Sequence, residues 1–325
     1  MRLKLVPANT SFDFFRYSVV TFGVSALAMV LSVVLFFAFG LNYGIDFRGG
    51  TTIRTEATIA VNVSDYRDVL SGLDLGDVTI TEVTNPADAL QGINRNVTQI
   101  RIEQQEGDQA ASVETVSRVK EALRTIDPAM TFPSVESVGP KVSGELIQTA
   151  VIAVVLAIVA VLFYIWLRFE WQFSLGAVVA LIHDVVLTIG VFAALQIKFD
   201  LAIIAAILTI VGYSLNDTVV VFDRVRENLR KFKKLRLQDV LSQSINETLS
   251  RTVMTSVTTL IALIALFVLG GDVIHSFVFA MIWGVIVGTY SSVFVASNIL
   301  LRLGVKRDWD KKDGAAGTQF ANIDA

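Results

Sequence analysis

Six long apolar runs constrain this chain more than any other feature. They lie at about 17–39, 146–167, 173–195, 201–222, 252–269 and 274–301. A bilayer core is about 30 Å thick, so a helix rising 1.5 Å per residue needs about 20 mainly apolar residues to cross it. The runs lack the amphipathic period that helices at the core of a large soluble protein carry. The expectation is a membrane α-helical protein with six transmembrane helices. Composition agrees: of 325 residues, 53% are hydrophobic and 18% charged, too apolar for an ordinary soluble chain.

The first run follows Arg2, Lys4 and Arg16, as in a signal peptide. It is too long for a cleavable apolar region, and Gly40-Leu41-Asn42 is a poor cleavage site, so it reads as a retained anchor. Orientation follows the lysines and arginines of the short loops. Arg224, Arg226, Arg230, Lys231, Lys233, Lys234 and Arg236 face only Glu227 in the stretch 224–236. Arg168 lies between the second and third runs, and Arg302, Lys306, Arg307, Lys311 and Lys312 follow the sixth. The other side offers Lys198 with Asp200, then Gly270-Gly271-Asp272. Both termini of this multi-pass protein are therefore expected in the cytoplasm, with the long segment between the first two runs on the other side. The basic stretch also suits anionic lipid, although topology alone accounts for it.

The expected divisions are a cytoplasmic N-terminus at 1–16, a first span at 17–39, a periplasmic domain at 40–145, a five-helix bundle at 146–301 and a disordered cytoplasmic tail at 302–325. Within the periplasmic segment, 51–58 reads as a strand and 64–73 as a helix with Ser64 as N-cap. Strands are expected at 78–83, which alternates only in part, at 97–103, which alternates well, and at 133–138. A helical stripe of Val113, Val116, Val119, Leu123 and Ile126 marks 112–126, closed by Asp127-Pro128. The order β-α-β-β-α-β predicts a ferredoxin-like α+β domain, which by itself settles no function.

Several chemistries are excluded. No cysteine and only two histidines, His183 and His275, leave no thiolate or histidine metal cluster. No Gly-x-x-x-x-Gly-Lys-Ser/Thr loop cradles a nucleotide. No cofactor, metal, nucleic acid or catalytic constellation is expected, and any work must draw on an outside energy source. One elementary charge crossing a membrane potential gains about 2.3 kcal/mol per 100 mV.

Ionisable residues at membrane depth are costly and functional by default. Three stand out: His183 and Asp184 in the third run, and Asp217 in the fourth. Asp217 is six residues before Asp223, hence ~9 Å inside the cytoplasmic end. Ser214, Asn216 and Thr218 surround it, and the fifth run opens with Arg251 and several threonines. Burial raises a carboxyl pKa and a nearby cation lowers it, so Asp217 with Arg251 as an intermittent partner suits proton loading and release. For His183 and Asp184 two readings stay open, a proton relay or a fixed interhelical hydrogen-bond network. Asp223 and Arg224 sit at the interface, where charge is ordinary. The repeat Ala280, Gly284, Gly288, Ser292 and Ala296 favours close packing within the chain.

Two motifs carry a family resemblance: Asn42-Tyr43-Gly44-Ile45-Asp46-Phe47-Arg48-Gly49-Gly50-Thr51 after the first run, and 212–224, from Gly212 through Asn216-Asp217 to Phe222-Asp223-Arg224. Both resemble the SecD/SecF family of protein-export membrane proteins, most closely its SecF members. Ile182-His183-Asp184 and Ser250-Arg251-Thr252 are similar as well. The resemblance implies an auxiliary, non-enzymatic subunit of the Sec machinery, acting with SecD, YajC and the SecYEG channel with SecA on a translocating preprotein. The resistance-nodulation-division superfamily, which includes this family, uses proton flow. By motif, Asp217 resembles the family's essential intramembrane aspartate and Arg251 its partner, with Gly44, Asp46, Phe47, Gly49, Gly50, Asp223 and Arg224 as motif positions. Two alternatives remain open: a small-molecule exporter of the same superfamily, against which one extracytoplasmic loop argues, and a non-transporting scaffold of the translocon.

Overall fold

The computed structural model describes residues 10–73, 75, 78–83, 96–102, 113–138, 140–270 and 272–305. Arg2, Lys4, Gly271 and the tail from 306 onward lie outside them.

Where no water is available, a backbone satisfies its polar groups within its own helix, and the apolar runs do so. Among the described residues, six helices are long and apolar enough to cross a membrane. They are α1 (Ser18–Phe39), α5 (Pro140–Arg168), α6 (Trp171–Leu195), α7 (Leu201–Lys231), α8 (Leu237–Leu269) and α9 (Asp272–Ser291), the last continued by a π-helical turn (Ser292–Ala296) and α10 (Ser297–Leu303). The helices α6, α7 and α9 form the packed centre, while α1 and α5 leave most of their apolar surface outward.

Between α1 and α5 come β1 (Asn42–Tyr43), α2 (Ile45–Arg48), β2 (Gly50–Ala57), α3 (Val63–Ser71), β3 (Val78–Val83), β4 (Asn96–Ile102), α4 (Val113–Leu123) and β5 (Thr131–Val138). β2 to β5 form one antiparallel sheet in the order β3-β4-β2-β5. With α3 and α4 in the chain order βαββαβ, this is the ferredoxin-like domain the sequence predicts. Its core is Ile53, Tyr66, Leu70, Ile100, Val119, Leu123 and Met130, the inward set of each strand and the stripe of each helix. The Tyr66 hydroxyl reaches Thr55 Oγ1 at 3.2 Å, so the large buried ring keeps its polar tip satisfied.

Several boundaries differ from expectation. The α3 N-cap is Asn62 rather than Ser64: Asn62 is extended, and its N–H donates to Asp65 Oδ2 at 3.2 Å. α4 stops at Leu123, and the chain turns through 124–126 to Asp127, which is engaged elsewhere. It accepts Thr58 N–H at 2.6 Å, Thr58 Oγ1 at 2.8 Å and Ala129 N–H at 2.9 Å, clasping the end of β2. These hydrogen bonds, led by the Thr58 amide, hold its carboxyl below the usual range. The basic stretch 224–236 is mostly helix. α7 runs on to Lys231 and α8 starts at Leu237, because Val225, Leu229, Val240, Leu241 and Ile245 keep an apolar seam beyond membrane depth. Phe15 of the N-terminal segment plugs that seam, and Asn246 holds the segment through Phe12 N–H at 2.9 Å and Phe12 O at 2.8 Å.

The small-residue repeat packs within the chain. A Cβ at Gly284 would overlap Ile210, and one at Gly288 would press on Ser214. Gly190 plays the same part between α6 and α1, where a Cβ would overlap Ser32 down to its backbone.

Candidate functional site

Two apolar clusters fill the bundle. One contains Ile165, Phe169, Phe173, Phe222 and Val225. The other contains Phe192, Phe199, Ile203, Ile207, Ile210 and Met281. Between them along α6, α7 and α9 lies a polar layer: His183, Asp184, Ser214, Asp217, Thr218, Ser291 and Ser292, each at most 4% exposed.

Helical spacing sets the layer. Ser214, Asp217 and Thr218 are three and four residues apart, so they share one face of α7. Asn216 falls on the exposed side of that helix and takes no part. Asp184 is the hub. Its Oδ2 accepts Ser214 Oγ at 2.6 Å and Ser291 Oγ at 2.8 Å, and its Oδ1 lies 3.0 Å from His183 Nδ1. Ser292 continues the network, with Oγ 2.9 Å from Thr218 Oγ1. Three helices are thereby tied to one carboxylate.

Asp217 is different. Its Oδ2 is buried and has no hydrogen-bond partner. Arg251 is exposed on α8, and no ion pair joins it to Asp217 among the described residues. An unpaired buried carboxylate costs free energy, so this oxygen is poised to take a proton or a cation.

The remaining expected residues fall into two groups. Asp223 pairs with Arg168 at 3.3 Å, and Arg224 with Glu247 at 2.6 Å, both partly exposed at one end of the bundle. The motif after α1 lies at the opposite end. β1 pairs in parallel with β6 (Lys198–Phe199), Phe47 packs on Tyr43 and Phe199, and Gly44 N–H donates to Phe199 O at 2.8 Å. Gly49 and Gly50 adopt φ of 74° and 117°, a region that favours glycine, as the chain turns into β2.

Sequence reading missed Tyr290, Ser291 and the π-helical turn. Tyr290 stacks on His183 with centroids 6.2 Å apart, and its hydroxyl reaches Thr21 O and Ser25 of α1. The serine hydroxyls of 291 and 292 also bond back to Gly288 O, where the helix widens. The available signal was the pair of serines within an apolar run; π-helical turns gather at functional sites.

Six spanning helices around a buried ionisable layer, with one ferredoxin-like domain inserted after the first, define a multi-pass membrane protein of transport type. The family model for protein export membrane protein SecD/SecF, C-terminal, matches residues 118–306, and that of the SecD/SecF GG motif matches 34–58. The protein translocase subunit SecF of Cereibacter sphaeroides is 60% identical over 324 residues, covering 100% of this chain and 99% of its own. This chain belongs to the SecD/SecF family of protein export membrane proteins. The Brucella abortus protein translocase subunit SecDF is 41% identical over 96% of this chain, which covers 40% of that protein. The crystal structure of the translocon-associated membrane protein SecDF from Thermus thermophilus matches with TM-score 0.80 and 34% identity, over 93% of this chain and 40% of that one. SecDF in a super-membrane-facing form matches at TM-score 0.64 over the same share. This chain thus spans about 40% of the SecDF chain it matches.

Proposed function

We propose that the chain works beside SecD as an auxiliary subunit of the Sec export machinery, passing protons through its bundle to promote polypeptide translocation across the inner membrane. The observation that carries this is the Asp217 carboxylate, buried in a polar layer with one oxygen unpartnered. Such a group exchanges a proton at modest cost once water reaches it. Arg251, exposed in this conformation, is the cation that approaches it in another. The chain has no catalytic site of its own, and the membrane potential supplies the energy.

SecD as partner is supported by relatives in which one SecDF chain contains the region matched here. YajC and the SecYEG channel with SecA complete the assembly, and the cargo is a preprotein after or alongside the ATP-driven step. Lysines and arginines put both termini and the α7–α8 connection in the cytoplasm, with the sheet domain in the periplasm.

The test is Asp217→Asn, assembled with SecD and the channel in vesicles. Proton uptake and the potential-dependent part of export are expected to be lost while assembly is kept. Unchanged export with an intact complex leaves the scaffold reading.

A further inference from the structure

His183 and Asp184 are wholly buried. Ser214 Oγ donates to Asp184 Oδ2 at 2.6 Å, and Ser291 Oγ lies 2.8 Å from the same oxygen and 3.1 Å from Gly288 O. Taken as a carboxylate, the form that hydroxyl donors on Oδ2 suit, Asp184 has a second oxygen that calls for a donor as well. That donor is His183 Nδ1, 3.0 Å from Oδ1. The neutral imidazole then carries its hydrogen on Nδ1 and its lone pair on Nε2. Nε2 is buried and has no partner, although buried polar atoms are ordinarily satisfied.

We propose that His183 is a second proton-accepting centre of the bundle, with Nε2 the accepting atom and Asp184 the group that fixes the tautomer and balances the charge. The proposal rests on the reading that protons pass through this bundle. A hydronium gives its proton to the Nε2 lone pair and leaves as water; no other bond is made or broken. The product is an imidazolium beside a carboxylate, a neutral pair, which spares the bundle an isolated charge.

The surroundings suit this role. α7 carries Asp217 and Tyr213 as titratable side chains, and α9 supplies Tyr290, stacked on the imidazole. α1 brings no titratable side chain. α5 and α10 carry Arg168 and Arg302 at their ends, the first held by Asp223 and the second over the Phe22 ring. The imidazolium draws the carboxylate charge toward Oδ1 and weakens what Oδ2 offers Ser214 and Ser291. Ser214 is one helical turn before Asp217, and Ser291 opens the π-helical turn. A proton on His183 is therefore felt on the face of α7 that carries Asp217.

The chain has two histidines, so His275→Gln leaves His183 as the only one. Nitrogen magnetic resonance of the histidine-labelled full chain, assembled with SecD in bilayers, reads both ring nitrogens directly. Expected is the Nδ1–H tautomer at high pH, with Nε2 gaining a proton as pH falls. The titration persists in Asp217→Asn. His183→Gln removes the corresponding step from the pH profile of proton-driven export. An Nε2–H tautomer, or a ring that stays neutral throughout, overturns the proposal, as does an unchanged profile in His183→Gln. If Asp217→Asn abolishes coupling while His183 stays neutral, the Asp217 reading survives and this one falls. If His183 titrates while Asp217→Asn exports normally, the reverse holds.

Discussion

Asp46 Oδ2 accepts the backbone N–H of Leu201 at 3.0 Å, although 155 residues separate the two in the chain. Leu201 begins α7, and the first N–H groups of a helix have no partner within it. The local N-cap, Asp200, makes no side-chain cap bond. A carboxylate from the segment leading into the sheet domain therefore caps the helix that carries Asp217, where the helix dipole also favours negative charge. Burial pushes the Asp200 carboxyl above the usual range; Lys198 opposes this and Asp46 adds to it. The root of the domain and the ionisable layer are joined by one rigid helix.

Asp46→Ala is predicted to expose the start of α7. Losing a cap of this kind costs about 0.5–2 kcal/mol. Hydrogen exchange at Leu201 is expected to speed up while exchange in the middle of α7 stays slow. Unchanged exchange at Leu201 would count against the link.

Ser214→Ala and Ser291→Ala each strip one donor from a buried carboxylate. A loss of about 1–3 kcal/mol is expected for each. Because both serines bond the same oxygen, each covers for the loss of the other, so the double variant should lose more than the sum of the two. Strict additivity in thermal unfolding of the detergent-solubilised protein would show that Asp184 is not their common partner.

Gly190→Ala is predicted to harm the bundle more than Gly284→Ala. The added methyl meets Ser32 down to its backbone in the first case and only the Ile210 side chain in the second. Overpacking of this kind costs about 1–3 kcal/mol, and Ile210 can rotate where a backbone cannot. Melting temperatures of the two variants give the order.

The Asp127 clasp gives the sheet domain a pH dependence. Its folded carboxyl lies below its unfolded value near 3.9. The stabilisation is therefore complete above that value and is lost as pH falls through the folded one. Asp127→Asn should speed hydrogen exchange at Thr58 at neutral pH, with the gap to the native protein closing in strong acid. A gap of constant size would rule out the ionised clasp.

Local signals reached far into this fold. Six spans, the βαββαβ order and Asp217, Asp184 and His183 follow from run length, alternation and the cost of charge in lipid. The ends of elements were less legible. Hydropathy reports lipid depth, whereas α7 and α8 continue past it on a seam that only packing reveals. Ser64 resembled a cap, but the backbone of Asn62 made the turn. The π-helical turn in the sixth apolar run was missed although its one local signal, the pair of serines that bond back to Gly288 O, lay within an apolar run.

By itself the sequence determined what the chain must be: a bundle of spanning helices with one small α+β domain, because apolar length and strand alternation are properties of contiguous residues. Only the tertiary structure decided which polar groups meet. Asp184 gathers Ser214 and Ser291 from helices far apart in the chain, Asn216 turns outward beside an inward Asp217, and Asp46 caps a helix more than 150 residues on. Hydrogen bonds act over about 3 Å, and which atoms come that close is set by how helices pack, a relation between distant segments that no local pattern records.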